Sequence, residues 1–293
     1  MNKGVVYAIG AYLLWGFFPI FWKVIKFIPP YEILSHRIIW SFVFLSIILT
    51  YKKNWKWLKE VFSHKKTLMI FTISSLLLAI NWMLYIWAVN SDYIIEASLG
   101  YFINPLFSVF LGVLFLKERP RKWQWIAFGI AGIGVLYFTF VHGSFPWIGL
   151  SLAFTFGIYG LLRKTDSLNS TEGLTMNTMM LFIPALIFLL FREFSGVGSF
   201  GHIDLKFNLM LIMAGVVTSL PLIFFASAAK RIALSTLGIL QYIAPILQFC
   251  VGYFLYKESL DSNKLIGFVF VWIALMIYTV ENIIERRKMR ITT

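Results

Sequence analysis

Two stretches of the chain place polar side chains along one face of an otherwise apolar segment. In the first, Tyr101, Asn104 and Ser108 follow the helical spacing i, i+3, i+7, and in the second Gln241 and Gln248 are seven residues apart. Amide and phenol groups inside hydrocarbon cost free energy unless they face other protein or water. These stripes therefore mark surfaces where a helix meets either a solute or another helix.

Each stripe also contains a proline, Pro105 in the first and Pro245 in the second. Proline has no N–H to donate, so the carbonyl one turn earlier is left as a free acceptor and the helix bends. We expect a helix break at both prolines, with a backbone acceptor beside the polar side chains.

Other segments supply candidates of the same chemical character. These are Asn81 and Tyr85, spaced i, i+4, together with Trp15, Phe18 and Tyr159. With the two stripes they predict an aromatic, uncharged pocket that suits amphipathic or aromatic solutes. The alternative for each amide is that it only joins helices, through hydrogen bonds worth about 1 kcal/mol each.

Arg37 and the neighbouring His36 are candidates for an anion or proton site. Arg37 can attract an anionic substrate group, with Glu32 about one turn away as a candidate ion partner. Its alternative is to extend to the lipid headgroups, as long basic side chains near helix ends do. His36 is a candidate proton carrier because histidine titrates near neutrality, although a lone histidine is more often structural.

The segments that must position these residues are long and apolar. Apolar residues make up 59% of the 293 residues and charged residues 13%, against about 25% charged in soluble domains. A helix needs about 20 apolar residues to cross a bilayer, and continuous runs exclude the alternating pattern of barrel strands. The predicted spans are Gly4–Trp22, Ile38–Tyr51 (extending back to Ile33), Thr67–Ser91, Ala97–Leu116, Trp123–Val141, Gly143–Leu162, Gly173–Phe191, Phe207–Ala229, Ile232–Tyr256 and Leu265–Val280.

The net charge of +13 has a topological explanation, so it does not indicate nucleic-acid binding. Of the 26 lysines and arginines, nineteen lie in segments on the side of the two termini, six lie on the other side, and Arg37 lies inside a span. Positive loops stay inside the cell, which predicts cytoplasmic termini and a multi-pass protein of the bacterial inner (plasma) membrane. Residues 282–293 form a basic tail expected on anionic cytoplasmic lipid.

Enzymatic, metal-binding and cofactor-binding signatures are missing from the sequence. Cys250 is the single cysteine, and there is no CxxC, HExxH or Walker lysine loop. We therefore predict no catalytic residue, no metal and no cofactor. An intramembrane lipid-modifying enzyme remains an alternative, as does a membrane scaffold that transports nothing.

An internal repeat at an offset of 140 residues divides the chain. The segment LGYFINPLFSVFLGVLFLKE at 99–118 aligns without a gap on ILQYIAPILQFCVGYFLYKE at 239–258, and Glu32 aligns with Glu172. The predicted domains are residues 1–141 and 142–281. Five spans per half is an odd number, so the halves have opposite orientation, and Lys117-Glu118 and Lys257-Glu258 fall on opposite sides of the membrane.

Inverted repeats are typical of secondary transporters. Together with the segments GVVYAIGAYLLWGFFPIFWK and ILSHRIIWS, the repeat resembles the EamA branch of the drug/metabolite transporter superfamily over essentially the whole chain. The resemblance implies an all-α integral membrane protein of ten transmembrane helices, built as two inverted five-helix repeats. It also implies a central cavity between helices 1, 3, 4, 6, 8 and 9.

The expected function is that of a permease, a secondary active transporter that exports small amphipathic metabolites or drugs by alternating access. Its expected partners are a small-molecule substrate and the lipid bilayer. The glycines of the fifth span are compatible with either a monomer or a homodimer.

Overall fold

The computed structural model describes residues 3–116, 121–141, 145–165, 168–229, 231–232, 240–260 and 262–291. Over these residues the chain is helical and contains no β-strand. The first half comprises α1 (Lys3–Gly16), α2 (Phe18–Val24), α3 (Pro30–Tyr51), α4 (Lys56–Ser63), α5 (Lys65–Asn90), α6 (Ile94–Leu116) and α7 (Lys122–Val141). The second half comprises α8 (Trp147–Thr165), α9 (Ser170–Phe194), α10 (Leu205–Ala229), α11 (Ile243–Cys250) with a π-helical turn (Val251–Leu255), and α12 (Ser262–Ile291).

The predicted spans coincide with helices wherever the structure describes them. Helices long and apolar enough to cross a membrane are Lys3–Val24, Pro30–Tyr51, Lys65–Asn90, Thr171–Phe194 and Leu205–Phe225, and shorter apolar helices are Trp147–Arg163, Ile243–Leu255 and Leu265–Glu281. Residues 143–144 and 233–239 of two predicted spans lie outside the described residues. The all-α membrane fold is thus confirmed.

The first span differs from the prediction because it consists of two helices. α1 ends at Gly16, α2 begins at Phe18, and the chain turns at Phe17. Pro19 lies in the first turn of α2 and has no N–H to donate to the carbonyl of Trp15, four residues earlier. The missing hydrogen bond bends the span near its middle and leaves that carbonyl available.

A short helix that the sequence analysis did not predict follows the second span. This helix, α4, buries Trp57 and Val61 against Leu49 and Phe71, while its lysines stay exposed. Its eight residues are too few to cross a bilayer. α4 therefore lies at the end of the bundle, with its apolar face against neighbouring helices and its lysines exposed.

The helices pack as a two-fold axis between the halves requires. In the repeat, α1 corresponds to α8, and α5 corresponds to α10. Accordingly, α1 packs against α10, and α8 packs against α5. The pairs α3–α9 and α7–α12 join helices that are equivalent to each other. Exchange of the two halves therefore maps these contacts onto one another.

Hydrogen bonds between α3 and α9 show that the halves are inverted. In the first turn of α3, Glu32 Oε1 accepts from the backbone N–H of Ser199, which follows α9 (2.6 Å). In the first turn of α9, Glu172 Oε1 accepts from Nδ2 of Asn54, which follows α3 (2.8 Å). The two equivalent carboxylates thus make equivalent contacts at opposite ends of an antiparallel helix pair. Below, the end of the bundle that contains Lys3 and Asn54 is called the terminal face, and the other end the opposite face.

Glycines allow the halves to approach closely. A Cβ on Gly100 of α6 would lie 2.5 Å from the carbonyl oxygen of Gly149 in α8, and one on Gly215 of α10 would lie 2.2 Å from the backbone of Trp40 in α3. Such distances are shorter than van der Waals contact, so no larger residue fits without moving a helix. Small residues at helix crossings are the usual means of packing membrane helices tightly.

Candidate functional site

Arg37 lies inside the bundle, enclosed by aromatic rings. It is seven residues into α3, about 10 Å from the start of the helix, and is only 4% exposed. Its guanidinium carbon lies 4.1 Å from the ring centre of Trp82, 5.2 Å from that of Trp22 and 5.9 Å from that of Phe18. The alternative in which Arg37 reaches the headgroups is therefore wrong.

Two helices, α2 and α5, supply the rings of this aromatic enclosure. Phe18 and Trp22 are one turn apart on α2, beyond the bend at Phe17, and their rings meet edge to face at 5.9 Å. Trp82 comes from α5 and is 6% exposed. Stacking of a desolvated guanidinium on such rings contributes about 2 kcal/mol, which offsets part of the cost of burying the charge.

Polar atoms around Arg37 have no hydrogen-bond partner in the described part of the chain. They include Nε and Nη1 of Arg37 itself, Nε1 of Trp22 and the hydroxyl of Tyr85. Tyr85 lies one turn after Trp82 on α5, and its ring lies 5.7 Å from that of Tyr101 on α6. Buried polar groups are normally paired, so this cluster is where an additional molecule is expected to bind.

Glu32 is not the ion partner of Arg37. Its Oε2 accepts from the Ser199 hydroxyl at 3.0 Å and lies 3.6 Å from Nη2 of Arg192, at the opposite face. The ring of His36 packs 4.8 Å from that of Phe200, and neither of its ring nitrogens has a hydrogen-bond partner among the described residues. His36 is thus buried beside an aromatic ring, on the same helix as Arg37.

The polar stripes bring unpaired groups from both halves. Asn104 on α6 is buried and its Oδ1 has no partner in the described chain. Gln248 on α11 is buried and its Nε2 donates to the carbonyl of Trp15 at 3.0 Å, while its Oε1 is unpaired among the same residues. The carbonyl of Trp15 is free because Pro19, four residues later, has no N–H to donate to it. A polar side chain therefore does bind a backbone carbonyl freed by a proline, as predicted, but the proline is Pro19 rather than Pro105 or Pro245.

The helix break predicted at Pro105 is wrong, whereas near Pro245 the helix is interrupted three residues earlier. α6 runs without interruption from Ile94 to Leu116, through Pro105. In the second half the helix is interrupted at Tyr242, and α11 begins at Ile243 with Pro245 in its first turn. Pro245 has no N–H for the carbonyl of Gln241, whose side chain is half-buried. The side chain of Ser108 lies outside the described residues.

Two of the predicted site residues are hydrogen-bonded between helices. Asn81 Nδ2 donates to the carbonyl of Leu152 at 3.1 Å and to Oγ1 of Thr155 at 2.9 Å, both on α8. The hydroxyl of Tyr159 accepts from Nδ2 of Asn177 on α9 at 3.4 Å. These contacts agree with the packing alternative for Asn81 and Tyr159.

Sequence reasoning missed the two tryptophans that flank the guanidinium. Trp22 follows Phe18 by four residues, and Trp82 precedes Tyr85 by three, so each shares a helix face with a residue that had been selected. That spacing was the available signal. Both tryptophans, however, have mostly apolar neighbours in the sequence, and a tryptophan in such a segment is usually predicted to belong to the hydrophobic core.

A second group of contacts joins the halves at the opposite face. Glu258, beyond the π-helical turn, accepts from the backbone N–H groups of Ile94 and Ile95 in the first turn of α6, each at 2.9 Å. Burial raises the pKa of the Glu258 carboxyl, although the hydrogen bonds from the two backbone amides act in the opposite direction. Nearby, Lys23 forms an ion pair with Asp92. The equivalent Glu118 lies outside the described residues.

Comparison with known proteins places the chain in a family. Residues 2–140 and 146–280 both match the EamA-like transporter family. The chain is 45% identical to the transporter YojE of Bacillus subtilis (strain 168) over 98% of this chain and 96% of that protein. It is 41% identical to Protein RarD of Escherichia coli (strain K12), covering 98% and 97%. It is 24% identical to a protein of Pseudomonas aeruginosa named chloramphenicol-sensitive protein RarD, covering 94% and 93%.

A solved crystal structure has the same fold, with a TM-score of 0.61 at 16% identity over 95% of this chain and 98% of that one. The chain therefore belongs to the EamA-like transporter family. It is a multi-pass membrane transporter of the drug/metabolite transporter superfamily, similar to the RarD proteins, and the names of its relatives are those of transporters rather than enzymes.

Proposed function

We propose that this member of the EamA-like transporter family is a secondary active transporter that exports small amphipathic metabolites or drugs by alternating access. It acts in the bacterial inner (plasma) membrane, with both termini in the cytoplasm. The substrate binds between the halves, among the groups around Arg37 and the two polar stripes.

One observation carries this proposal, namely that both halves contribute buried polar atoms without partners in the described chain. The first half supplies Arg37, Tyr85 and Asn104, and the second supplies Tyr242 and Gln248. Each unmade hydrogen bond of a buried group costs about 1–3 kcal/mol. A scaffold gains nothing from that cost, whereas a transporter recovers it each time a substrate binds.

Alternating access is supported by the equivalence of the contacts at the two faces. Glu32 bonds Ser199 at the opposite face as Glu172 bonds Asn54 at the terminal face. Two halves that make the same contacts in opposite orientation can exchange their conformations, and the exchange opens the site to the other side. The fold thus favours two states of similar free energy.

The orientation follows from charge. Nineteen of the 26 basic residues belong to the side of the termini, which supports a cytoplasmic terminal face. Residues 282–291 continue α12 as a basic helix beyond the last span, where anionic lipid is the natural partner.

The chain acts as a monomer or a homodimer. Gly134 of α7 packs against Phe270 of α12 within the chain, but a Cβ on Gly129 or Gly132 would meet nothing within 4 Å. This open face of α7 suits either lipid or a second copy.

The test is flux in proteoliposomes and in inside-out membrane vesicles, with a library of amphipathic solutes and an imposed proton or sodium gradient. Chloramphenicol is the first probe, because one relative is named for sensitivity to it. An exporter accumulates its substrate in inside-out vesicles. Folded protein that moves no member of the library would favour the scaffold.

Replacing Asn104 by leucine tests the site itself. Because its Oδ1 is unpaired in the described chain, Asn104→Leu should leave folding intact while flux falls about tenfold or more, the equivalent of one lost hydrogen bond to substrate. The outward-facing Met213, 46% exposed, gives a matched control, Met213→Leu. Normal flux in Asn104→Leu would assign that amide to packing.

A further inference from the structure

Arg37 is a buried cation without a counter-ion in the described part of the chain. Six carboxylates of that part are bound elsewhere: Glu32 to Ser199, Asp92 to Lys23, Glu172 to Asn54, Glu193 to His202, Glu258 to α6 and Glu281 to Arg121. Charged residues inside membrane proteins normally pair with one another. Among the residues that the structure describes, no carboxylate therefore compensates the positive charge of Arg37.

The aromatic rings around the guanidinium do not satisfy its N–H groups. Its faces are occupied by rings, with Trp82 closest at 4.1 Å, so the remaining hydrogen-bonding directions lie in the plane of the group. Nε and Nη1 are buried there without a partner among the described residues. Each edge of the guanidinium, Nε with Nη2 or Nη1 with Nη2, is a planar fork of two N–H donors that matches the two oxygens of a carboxylate.

The size of the charge selects among anions. Lys23 is 7% exposed but is paired with Asp92, so it adds no free charge to the site. A single uncompensated positive charge suits a monoanion better than a phosphate dianion, whose second charge would be buried without a partner. The hydroxyl of Tyr85, also unpaired, supplies one more donor beside the fork.

We propose that the substrate group held by Arg37 is a single carboxylate, carried by an amphipathic molecule whose apolar part lies against the surrounding rings. This inference rests on the proposed function, since it assumes that the unpaired groups face the transported solute. It names the class of substrate as organic monocarboxylates rather than neutral or cationic amphiphiles.

The test compares carboxylates with their neutral amides on the purified full chain in detergent at neutral pH. The probes are phenylacetate with phenylacetamide, benzoate with benzamide, and hexanoate with hexanamide, and the readout is the apparent melting temperature. We expect at least one carboxylate to raise that temperature while its amide does not. Stabilisation by the amides to the same extent, or by none of the carboxylates, overturns the proposal.

Variants locate the effect. Arg37→Met should abolish the stabilisation, and Arg37→Lys, which keeps the charge but not the fork, should weaken carboxylate binding about tenfold. Asn177→Leu is the control and should retain it. Carboxylate binding that survives Arg37→Met overturns the proposal. If Arg37→Met does not accumulate, Arg37→Lys and the probe pairs decide the question.

Phenyl phosphate tests the monoanion, and tighter binding of it than of phenylacetate overturns the choice of carboxylate. Flux separates this inference from the proposed function. Carboxylates that bind but are never transported would contradict the transporter and leave the anion site standing. Transport of neutral solutes that Arg37→Met does not change would contradict the anion site alone.

Discussion

Arg37 and Asn177 occupy equivalent positions in the two halves, at the 140-residue offset that also aligns Glu32 with Glu172. Both are buried seven residues into their helices. Both polar atoms of the Asn177 side chain have protein partners: its Oδ1 accepts from the hydroxyls of Ser74 (2.9 Å) and Ser75 (3.2 Å), and its Nδ2 donates to Tyr159. The guanidinium of Arg37 has no comparable bond in the described chain.

The difference separates packing from binding. At the Asn177 position the repeat uses a polar residue to join helices, through the side chains of Ser74, Ser75 and Tyr159. At the Arg37 position it buries a larger, charged group and provides only ring faces. A polar residue inside a span therefore does not by itself mark a site. A buried charged group without a partner is a stronger indication, because burying a charge costs more than burying a neutral polar group.

The largest effect is expected from giving the second half the residue of the first. Asn177→Arg places a cation among two serine hydroxyls and a tyrosine hydroxyl, with none of the rings of α2 that surround Arg37, and should lower the free energy of unfolding by about 3 kcal/mol or more. The measurement is the apparent melting temperature in detergent together with the folded fraction on size exclusion. Wild-type stability in Asn177→Arg would show that both positions accommodate a buried cation equally well, which would contradict the comparison.

A pair of apolar replacements should have opposite effects. Asn177→Leu removes three hydrogen bonds and should cost about 1–2 kcal/mol of stability while transport survives. Arg37→Met removes an unpaired charge and should leave stability unchanged or higher, since apolar residues often replace buried ions without loss. Thermal unfolding and flux measured on both proteins check the reversal, and a large loss of stability in Arg37→Met would assign Arg37 to packing.

The smallest effect concerns the serines. The single O–H of Ser74 and that of Ser75 are each shared between two acceptors, Asn177 Oδ1 and the carbonyl of Phe71, so Ser74→Ala or Ser75→Ala should cost about 0.5 kcal/mol. In a double-mutant cycle with Asn177→Leu the costs should not add, because they share one network. Additive costs would show that the serines act through Phe71 alone.

Much of the fold was predictable because the signals are local. Span length, loop charge and the repeat each depend on residues close in sequence, and they specify an inverted all-α membrane protein. The division of the first span at Phe17 follows from Pro19, whose position in the sequence already implies it. α4 was missed because a short amphipathic helix in a lysine-rich loop has no span-length signal.

The site was predictable only in part because partners are distant in sequence. Asn81 and Asn104 read alike, yet Leu152 and Thr155 bond the first while Oδ1 of the second stays unpaired among the described residues. No local pattern distinguishes them. The surroundings of Arg37 were unpredictable for the same reason. Its position near the start of a helix favours contact with the headgroups, and only the three-dimensional arrangement of α2 and α5 shows that rings enclose it.

The enclosure of Arg37 also bears on how the chain enters its membrane. Inserting a helix with a charge well inside it costs up to about 3 kcal/mol. Phe18 and Trp22 are synthesised before Arg37, so α2 is available to cover the guanidinium when α3 leaves the translocon, whereas Trp82 arrives a full span later. The first two spans are thus expected to insert together as a hairpin, and the arrival of α5 completes the shelter of the charge.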